Sequence, residues 1–453
     1  MTPEQVLAKA LACETVSAKG AEGASAFHAL QLLMQEAFPR LHRTLTRERV
    51  GPGPALLYRW QGANPHLLPW AILAHQDVVG VEAENLPQWA YPPFGGVIAE
   101  GHVWGRGALD MKSSLIGVMQ AVEDLLADDF VPRRTLLLCL GADEEVGGLE
   151  GAARIAEVLR MHQERLALTL DEGGFIVTGA FPGVERPVAL IGVAQRGELV
   201  VRMSATAAGG HGGLPERSPA VLRLARALDW LARRGLPGPV EGAPRQMLLA
   251  LADAASLPWR LAYLLAARLG RRSARLLLRT DLAAVTQTTV AVTRLEAGVA
   301  NNVVPRTAGA VLDIRLRPGE DSDRVLRRID GEIGQRFGID LEVLERIEPS
   351  PISRADGPIF EALADAVLAL MPEAVVTPYV SPNDGDSKFF TDLAAVQYRL
   401  VPLRVPAADL AGIHAANERI GVAAYHGLVA GYRRIIGAID AVDDPPPSAG
   451  RLA

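Results

Sequence analysis

The feature that most restricts the fold of this chain is a repeated unit. A short apolar run ends in acidic or histidine residues, and a helical stretch follows it. Residues 69–74 (PWAILA) and 135–140 (TLLLCL) are apolar runs of strand length bounded by turn signals, and Ser113 to Leu126 between them has helical periodicity. LALTLDE follows a second helical stretch, from about Leu149 to Met161. This alternation predicts an α/β domain with a mainly parallel sheet flanked by helices. Such sheets gather ligands outside the carboxyl ends of their strands. Here those ends carry His75-Gln76-Asp77, Asp143-Glu144-Glu145 and Asp171-Glu172-Gly173-Gly174.

The pattern changes near Gly197. ELVVRMSATA alternates as a half-exposed strand does, Pro219 to Arg234 is helical, and VTQTTVAVTRLEA from Val285 alternates again. AGAVLDIRLRP reads as another strand and Asp323 to Phe337 as another helix. The expectation is a smaller α+β domain over 196–350, inserted into a first domain formed by 1–195 and 351–442. Within the insert, 235–284 reads as an extra segment opened by the turn-rich GLPGPVEGAP. Its apolar part, Met247 to Leu269, is interrupted by Asp253, Pro258 and Arg260, whereas a membrane span needs ~20 mostly apolar residues. One or two buried or groove-lining helices are expected there, with attachment at a membrane surface as the lesser alternative. A last helix is expected from about Asn417 to Ala438, and the proline-rich 443–453 is expected to be a disordered tail.

A formal net charge of -6 argues against general affinity for nucleic acid or anionic membrane. The two cysteines, Cys13 and Cys139, do not make a disulfide framework, and the N-terminus lacks a basic start followed by an apolar run. Both readings point to a reduced, cytoplasmic protein.

Taken singly, the polar motifs have plain explanations. His75 with Asp77 is either a metal-binding imidazole with a carboxylate to orient it or a strand-end histidine with a capping aspartate. Asp110, in GRGALDMK, is either aimed inward by its glycine-rich turn or is a helix N-cap. Asp143, Glu144 and Glu145 form either a solvated acidic loop or a cluster whose mutual repulsion a cation relieves. His211 lies in the glycine-rich AAGGHGGLP and His414 in AGIHAANE. Taken together, the weights change. Several such motifs fall at successive strand ends of one sheet, and two histidines with three carboxylates suffice for two metals, one carboxylate bridging. Mixed imidazole and carboxylate ligation suits zinc, with manganese or cobalt as substitutes.

In this order, HQDVV, WAYPPFGGVIAEGHVWGRGALDMK, GADEEVGG, LDEGG, GGHGG and IHAANE resemble the carboxypeptidase S, aminoacylase and acetylornithine deacetylase metallopeptidases. The resemblance spans nearly the whole chain. The segment 235–284 followed by TQTTVAVTRLEAGVANNVVP is most similar to the carboxypeptidase S and N-acyl-amino-acid hydrolase branch. It implies His75 and Asp171 as terminal ligands of one metal, and Glu145 and His414 as those of the other. Asp110 would bridge both, and in the family the peptide bond after this aspartate is commonly cis. Glu144 would be the general base, moving a proton from the shared water to the leaving nitrogen, and Asp77 would orient His75. His211 would stabilise the oxyanion in the partner subunit of a homodimer built through the lid domain. Asn302 would lie near the substrate, Arg315 would grip its carboxylate, and Ser387 and Lys388 would lie in a substrate-contacting loop.

The activity implied is hydrolysis of an amide or peptide bond beside a free carboxylate. The substrate is a short peptide in a carboxypeptidase or dipeptidase, or an N-acyl amino acid in an amidohydrolase. The opposing class is a metal-stabilised binding protein, which has no use for a base such as Glu144. A serine hydrolase is excluded by the lack of a G-x-S-x-G turn.

Overall fold

A computed structural model describes residues 1–214, 216–268 and 282–443. Ten strands among the described residues form the main sheet. Its centre is parallel: Leu136–Gly141 beside Trp70–His75, then Leu166–Asp171, then Ala394–Arg399. The register places His75 opposite Gly141, and Asp171 opposite Arg399. The three acidic strand ends therefore open onto one edge of the sheet. The flanks depart from the parallel rule: Thr46–Arg49 and Leu56–Trp60 pair antiparallel, as do Leu56–Trp60 and Leu136–Gly141.

Helices cover both faces. Lys112–Ala127, Pro358–Leu370 and Val422–Asp440 bury their apolar sides in the larger core, with Leu115, Met119, Leu363, Leu428 and Ile435 fully or almost fully buried. Ala152–Met161 covers the opposite face with Ile155 and Leu159. Val158 of that helix and Ala394 of the adjoining strand are only partly buried against that smaller core. The central strands are apolar on both sides, the pattern expected when each face carries helices.

Residues between Gln195 and Ser350 build a separate antiparallel sheet of four strands, ordered Thr289–Ala297, Thr307–Leu316, Gly197–Thr206, Asp340–Ile347. The helices Ala220–Arg234 and Ser322–Ile329 pack on one face of it around Leu199, Val201, Leu224, Leu312 and Ile329. Beyond Ile329 the second helix continues as a π-helical turn, Asp330–Gly334, before ending at Phe337. The chain leaves and re-enters the main domain at one point, where the Gln195 amide donates to Ser350 Oγ at 2.9 Å.

One element sits elsewhere than expected. The apolar stretch from Met247 forms two helices, Gly242–Ala254 and Trp259–Arg268. Their inner residues Met247, Leu248, Leu251, Tyr263 and Ala267 join the main-domain core rather than the core of the inserted sheet. The reason is size: the insert's sheet already buries its single apolar face under two helices. The end of the extra segment, 269–281, and all but Asp443 of the tail expected to be disordered lie outside the described residues. No helix among the described residues is long and apolar enough to cross a membrane.

Candidate active site

His75 is the last residue of its strand, and its side chain is 1% exposed. Its Nδ1 faces the backbone carbonyl of Asp77 at 3.0 Å. A carbonyl only accepts, so Nδ1 carries the proton and Nε2 of the neutral ring presents a lone pair. That lone pair points at carboxylate oxygens, Asp110 Oδ1 at 3.1 Å and Glu172 Oε1 at 3.4 Å. Such an arrangement is repulsive unless positive charge lies among the three groups.

The same motif occurs a second time. His414, in the loop before the last helix with φ +59°, faces Asp110 Oδ2 at 3.1 Å and Glu145 Oε2 at 3.2 Å. Asp110 thus gives one oxygen to each imidazole. The result is two triads sharing one carboxylate: His75, Asp110 and Glu172, then His414, Asp110 and Glu145. Glu145 Oε1 is buried with no hydrogen-bond partner among the described residues, an orphan that a cation would satisfy. Donor set and geometry both fit a pair of zinc-like ions sharing a carboxylate.

A proton on Nε2 of His75 is another source of that positive charge, and the carboxylates favour it. Burial alone would lower the His75 imidazole, but its carboxylate neighbours, Asp110 foremost, hold it well above its ordinary value. Bonds to Asp110 and Glu145 raise His414 to about 10. Burial works against ionised Asp110, yet the bonds from His414 and His75 outweigh it and hold the carboxyl well below the usual range. Burial, then the Asp110 charge, pushes Glu172 up to about 7. Among the described residues, Glu144 forms no hydrogen bond or ion pair through its carboxylate, and burial with nearby Glu172, Asp386 and Asp110 pushes it up to about 10. It stands close to His75 and Glu172 without joining either triad through a contact.

The supports come from backbone geometry. Asp77, fully buried, accepts the amides of Glu144 and Glu145, each at 3.2 Å, and so sets the direction of both glutamates. The expected role of Asp77 toward His75 falls mainly to its carbonyl, since its Oδ1 is 3.4 Å from Nδ1. Asp143 turns away and caps the amide of Glu150 at 2.8 Å. The Asp110–Met111 peptide bond is cis, as the resemblance implied, and Met111 rather than Asp110 is the helix N-cap.

Two site residues require correction. Asp171 does not face His75; the neighbouring Glu172 does. The Asp171 carboxylate accepts the amides of Ser387 at 2.8 Å and Glu172 at 2.9 Å. Adjacent side chains point apart, so only one of this pair can face the imidazoles. The turn after the pair is tight at Gly174, where any Cβ would lie 2.2 Å from the Leu190 carbonyl oxygen and 2.5 Å from that of Arg399. Ser387 is also misplaced for substrate contact. It is fully buried, and its Oγ is held by Arg399 Nη2 at 2.9 Å and by Gln195 Oε1 at 3.2 Å.

The remaining expected residues lie apart from the two triads. Lys388 is paired with Asp384 at 2.6 Å. Arg315 is clamped by Asp313 at 2.9 Å and Glu198 at 3.0 Å. His211 is exposed on a two-stranded ribbon in which it pairs with Val303, and Gly212 donates to the Asn302 carbonyl at 2.8 Å. The ribbon thus brings His211 and Asn302 together, but no bond among the described residues links them to the triads.

Sequence reasoning passed over Glu418, the last residue of IHAANE. Fully buried, it accepts from Arg106 Nη1 at 2.6 Å and from the amides of Gly107 at 3.1 Å, Leu109 at 2.8 Å and Asp110 at 3.2 Å. It moulds the turn that presents the shared aspartate. The only cue in the sequence is an acidic residue four positions after His414. Glu418→Gln replaces one acceptor oxygen by a donor facing amides, and a metal titration against a competing chelator should show affinity reduced about 10–100-fold. Unchanged affinity would remove Glu418 from the support of Asp110.

Comparisons with known proteins place this geometry. Residues 71–438 match the model of "Peptidase family M20/M25/M40". The chain is 30% identical over 425 residues to the mouse (Mus musculus) "N-fatty-acyl-amino acid synthase/hydrolase PM20D1", covering 92% of this chain and 84% of that protein. It is 28% identical over 448 residues to "Carboxypeptidase S" of Saccharomyces cerevisiae, covering 89% and 77%. The fold matches the crystal structure of an M20 family metallo-carboxypeptidase from Sulfolobus solfataricus with a TM-score of 0.70 at 18% identity, over 98% of this chain and 100% of the other. This chain therefore belongs to peptidase family M20/M25/M40, as a metal-dependent hydrolase of peptide or amide bonds.

Proposed function

We propose that this chain cleaves the amide bond of N-acyl amino acids, X–NH–CHR–COO⁻, in which X is an apolar acyl group. The observation that carries the chemistry is Asp110, with one oxygen facing each of two imidazoles. In this reading His75, Asp110 and Glu172 hold one zinc ion, and His414, Asp110 and Glu145 hold the other; manganese or cobalt suits the same donors. When bound, such a pair polarises the scissile carbonyl and acidifies a water. Glu144 takes the proton from the attacking water and passes it to the leaving nitrogen. Asp77 holds Glu144 on line through its amide.

The relatives named N-fatty-acyl-amino acid synthase/hydrolase support the acyl group. The carboxypeptidase S relative supports a second reading, removal of a carboxyl-terminal residue from short peptides. A panel of N-acyl amino acids and dipeptides, assayed with metal-loaded protein, separates them. The account expects kcat/KM for long-chain acyl substrates to exceed that for dipeptides about tenfold or more, the worth of a few buried methylenes. A preference for dipeptides would establish the second reading instead.

The lid residues fit a homodimer. Thr289–Ala297 is an exposed edge strand of the inserted sheet, a form suited to pairing with a second copy. His211 and Asn302, exposed on their ribbon, would then complete the partner's site. There His211 would donate to the developing oxyanion. Arg315 would reach the substrate carboxylate by exchanging Glu198 for it. Mixing His211→Ala with Glu144→Gln should restore part of the activity that each lacks alone. No recovery in a dimer shown to exchange subunits would refute catalysis across the interface. The two free cysteines, one of them buried, support a reducing, cytoplasmic setting.

A further inference from the structure

A cavity of about 300 Å³ lies where the inserted sheet meets the main domain. Ile352 and Val380 wall it on the main-domain side, and Val285 adds a third apolar surface. Arg196, Gln287 and Arg317 line it from the insert, together with the first turn of the helix Gly242–Ala254. None of the residues of the two triads lines it. Arg196 is 5% exposed, and the hydrogen bonds of its guanidinium all go to uncharged acceptors. Nη1 donates to the Ala284 carbonyl at 2.9 Å, and Nη2 to the Gln287 carbonyl at 3.0 Å, the Thr289 hydroxyl at 2.6 Å and the Arg315 carbonyl. Its Nε has no partner among the described residues.

Carbonyls satisfy N–H groups but do not neutralise a buried charge. Asp313, whose charge reaches Arg196, is bonded to Arg315 at 2.9 Å instead. Burial foremost, then the charge of Arg315, lowers the Arg196 guanidinium to about 10. Gln287 is 1% exposed, and its Oε1 accepts the Gly238 amide at 2.9 Å. That bond fixes which end of the side-chain amide is the donor, and this Nε2 has no partner among the described residues. Two buried donors, one of them charged, thus go unmet in residues lining one cavity, where native interiors hold few such groups. No side chain caps the first turn of Gly242–Ala254, so the helix adds the positive end of its dipole. The carboxylates nearby are otherwise engaged or peripheral. Glu320 pairs with Arg317 at 3.2 Å and accepts from the Thr288 hydroxyl, and Glu241 is exposed.

We infer that this cavity binds a small carboxylic acid with an apolar body, its carboxylate paired with the Arg196 guanidinium and the Gln287 side-chain amide. An unneutralised guanidinium calls for an anion, and its planar fork matches a carboxylate. Val285, Ile352 and Val380 offer the rest of the ligand an apolar surface, which inorganic phosphate has no means to use. A volume of about 300 Å³ is at the small end of ligand sites and sets the size of the acid. The ligand would touch both domains and so brace the joint where the chain passes from Gln195 into the insert. The inference does not depend on the catalytic reading.

The test is calorimetric titration of the full, metal-loaded chain with hexanoate, acetate and inorganic phosphate. Hexanoate should bind about tenfold or more tighter than acetate, the worth of a few buried methylenes, and about tenfold or more tighter than phosphate. A carboxylate can also ligate metals, so two variants locate the site. Gln287→Glu keeps an acceptor for the Gly238 amide and replaces the free donor by a negative charge. It should lower hexanoate affinity about tenfold or more. Ile352→Glu sets a charge against the apolar body of the ligand and should have the same effect. Ile352 is 59% exposed, so this variant carries the test should Gln287→Glu misfold, with circular dichroism as the check. No binding of hexanoate overturns the inference, as does equal or tighter binding of acetate or phosphate. So does wild-type affinity for hexanoate in the folded variants, which would place the ligand elsewhere.

Discussion

Replacing Glu144 with glutamine should lower kcat about 10²–10⁴-fold while leaving the bound metal at the wild-type level. Glutamine keeps the size and shape of the side chain but cannot accept a proton from water. No ion pair among the described residues joins the Glu144 carboxylate to either imidazole, so its loss breaks neither triad. Its amide, held by Asp77, keeps the backbone in place whichever side chain it carries. Burial and neighbouring carboxylates raise its proton affinity, and two bound cations would lower it again toward neutrality, where a group that takes and returns a proton works best. Metal analysis beside steady-state kinetics checks both halves. Turnover near wild type would remove Glu144 as the base, and loss of metal would make it a ligand.

The second large effect separates two neighbours in LDEGG. Glu172→Ala should reduce bound metal from about two ions per chain to about one and abolish most turnover, because the His75 triad loses a carboxylate. Asp171→Asn should keep both metals. Its cost falls on folding instead: two backbone amides depend on the Asp171 carboxylate, and one would face an amide donor, at about 1–3 kcal/mol. Metal content and denaturant unfolding of the two variants should therefore diverge. Metal loss from Asp171→Asn with full occupancy in Glu172→Ala would restore the assignment that the family resemblance implied.

That reversal shows where the sequence stopped being readable. The strands were legible because runs such as TLLLCL are apolar on both sides, and the strand ends were legible because their polar residues break those runs. His75 and Asp110 could be picked out because each motif contains one suitable donor. In LDEGG two carboxylates adjoin, and Asp171 is taken up by the amide of Ser387, a residue far away in sequence. The resemblance puts Ser387 in a substrate-contacting loop, yet it is sealed by Arg399 and Gln195 from two other strands. Glu418 was overlooked for the same reason, since its partners Arg106 to Asp110 lie more than 300 positions earlier. The helices from Gly242 to Arg268 were legible as helices, but periodicity does not say which core a helix joins.

The most direct measurement of the central claim is hydrolysis of an N-acyl amino acid by chelator-stripped protein during stepwise return of zinc. The account predicts no turnover in the stripped protein and recovery that requires the second equivalent, because Asp110 serves two triads at once. Turnover that survives stripping, or no cleavage with two metals shown to be bound, would contradict it.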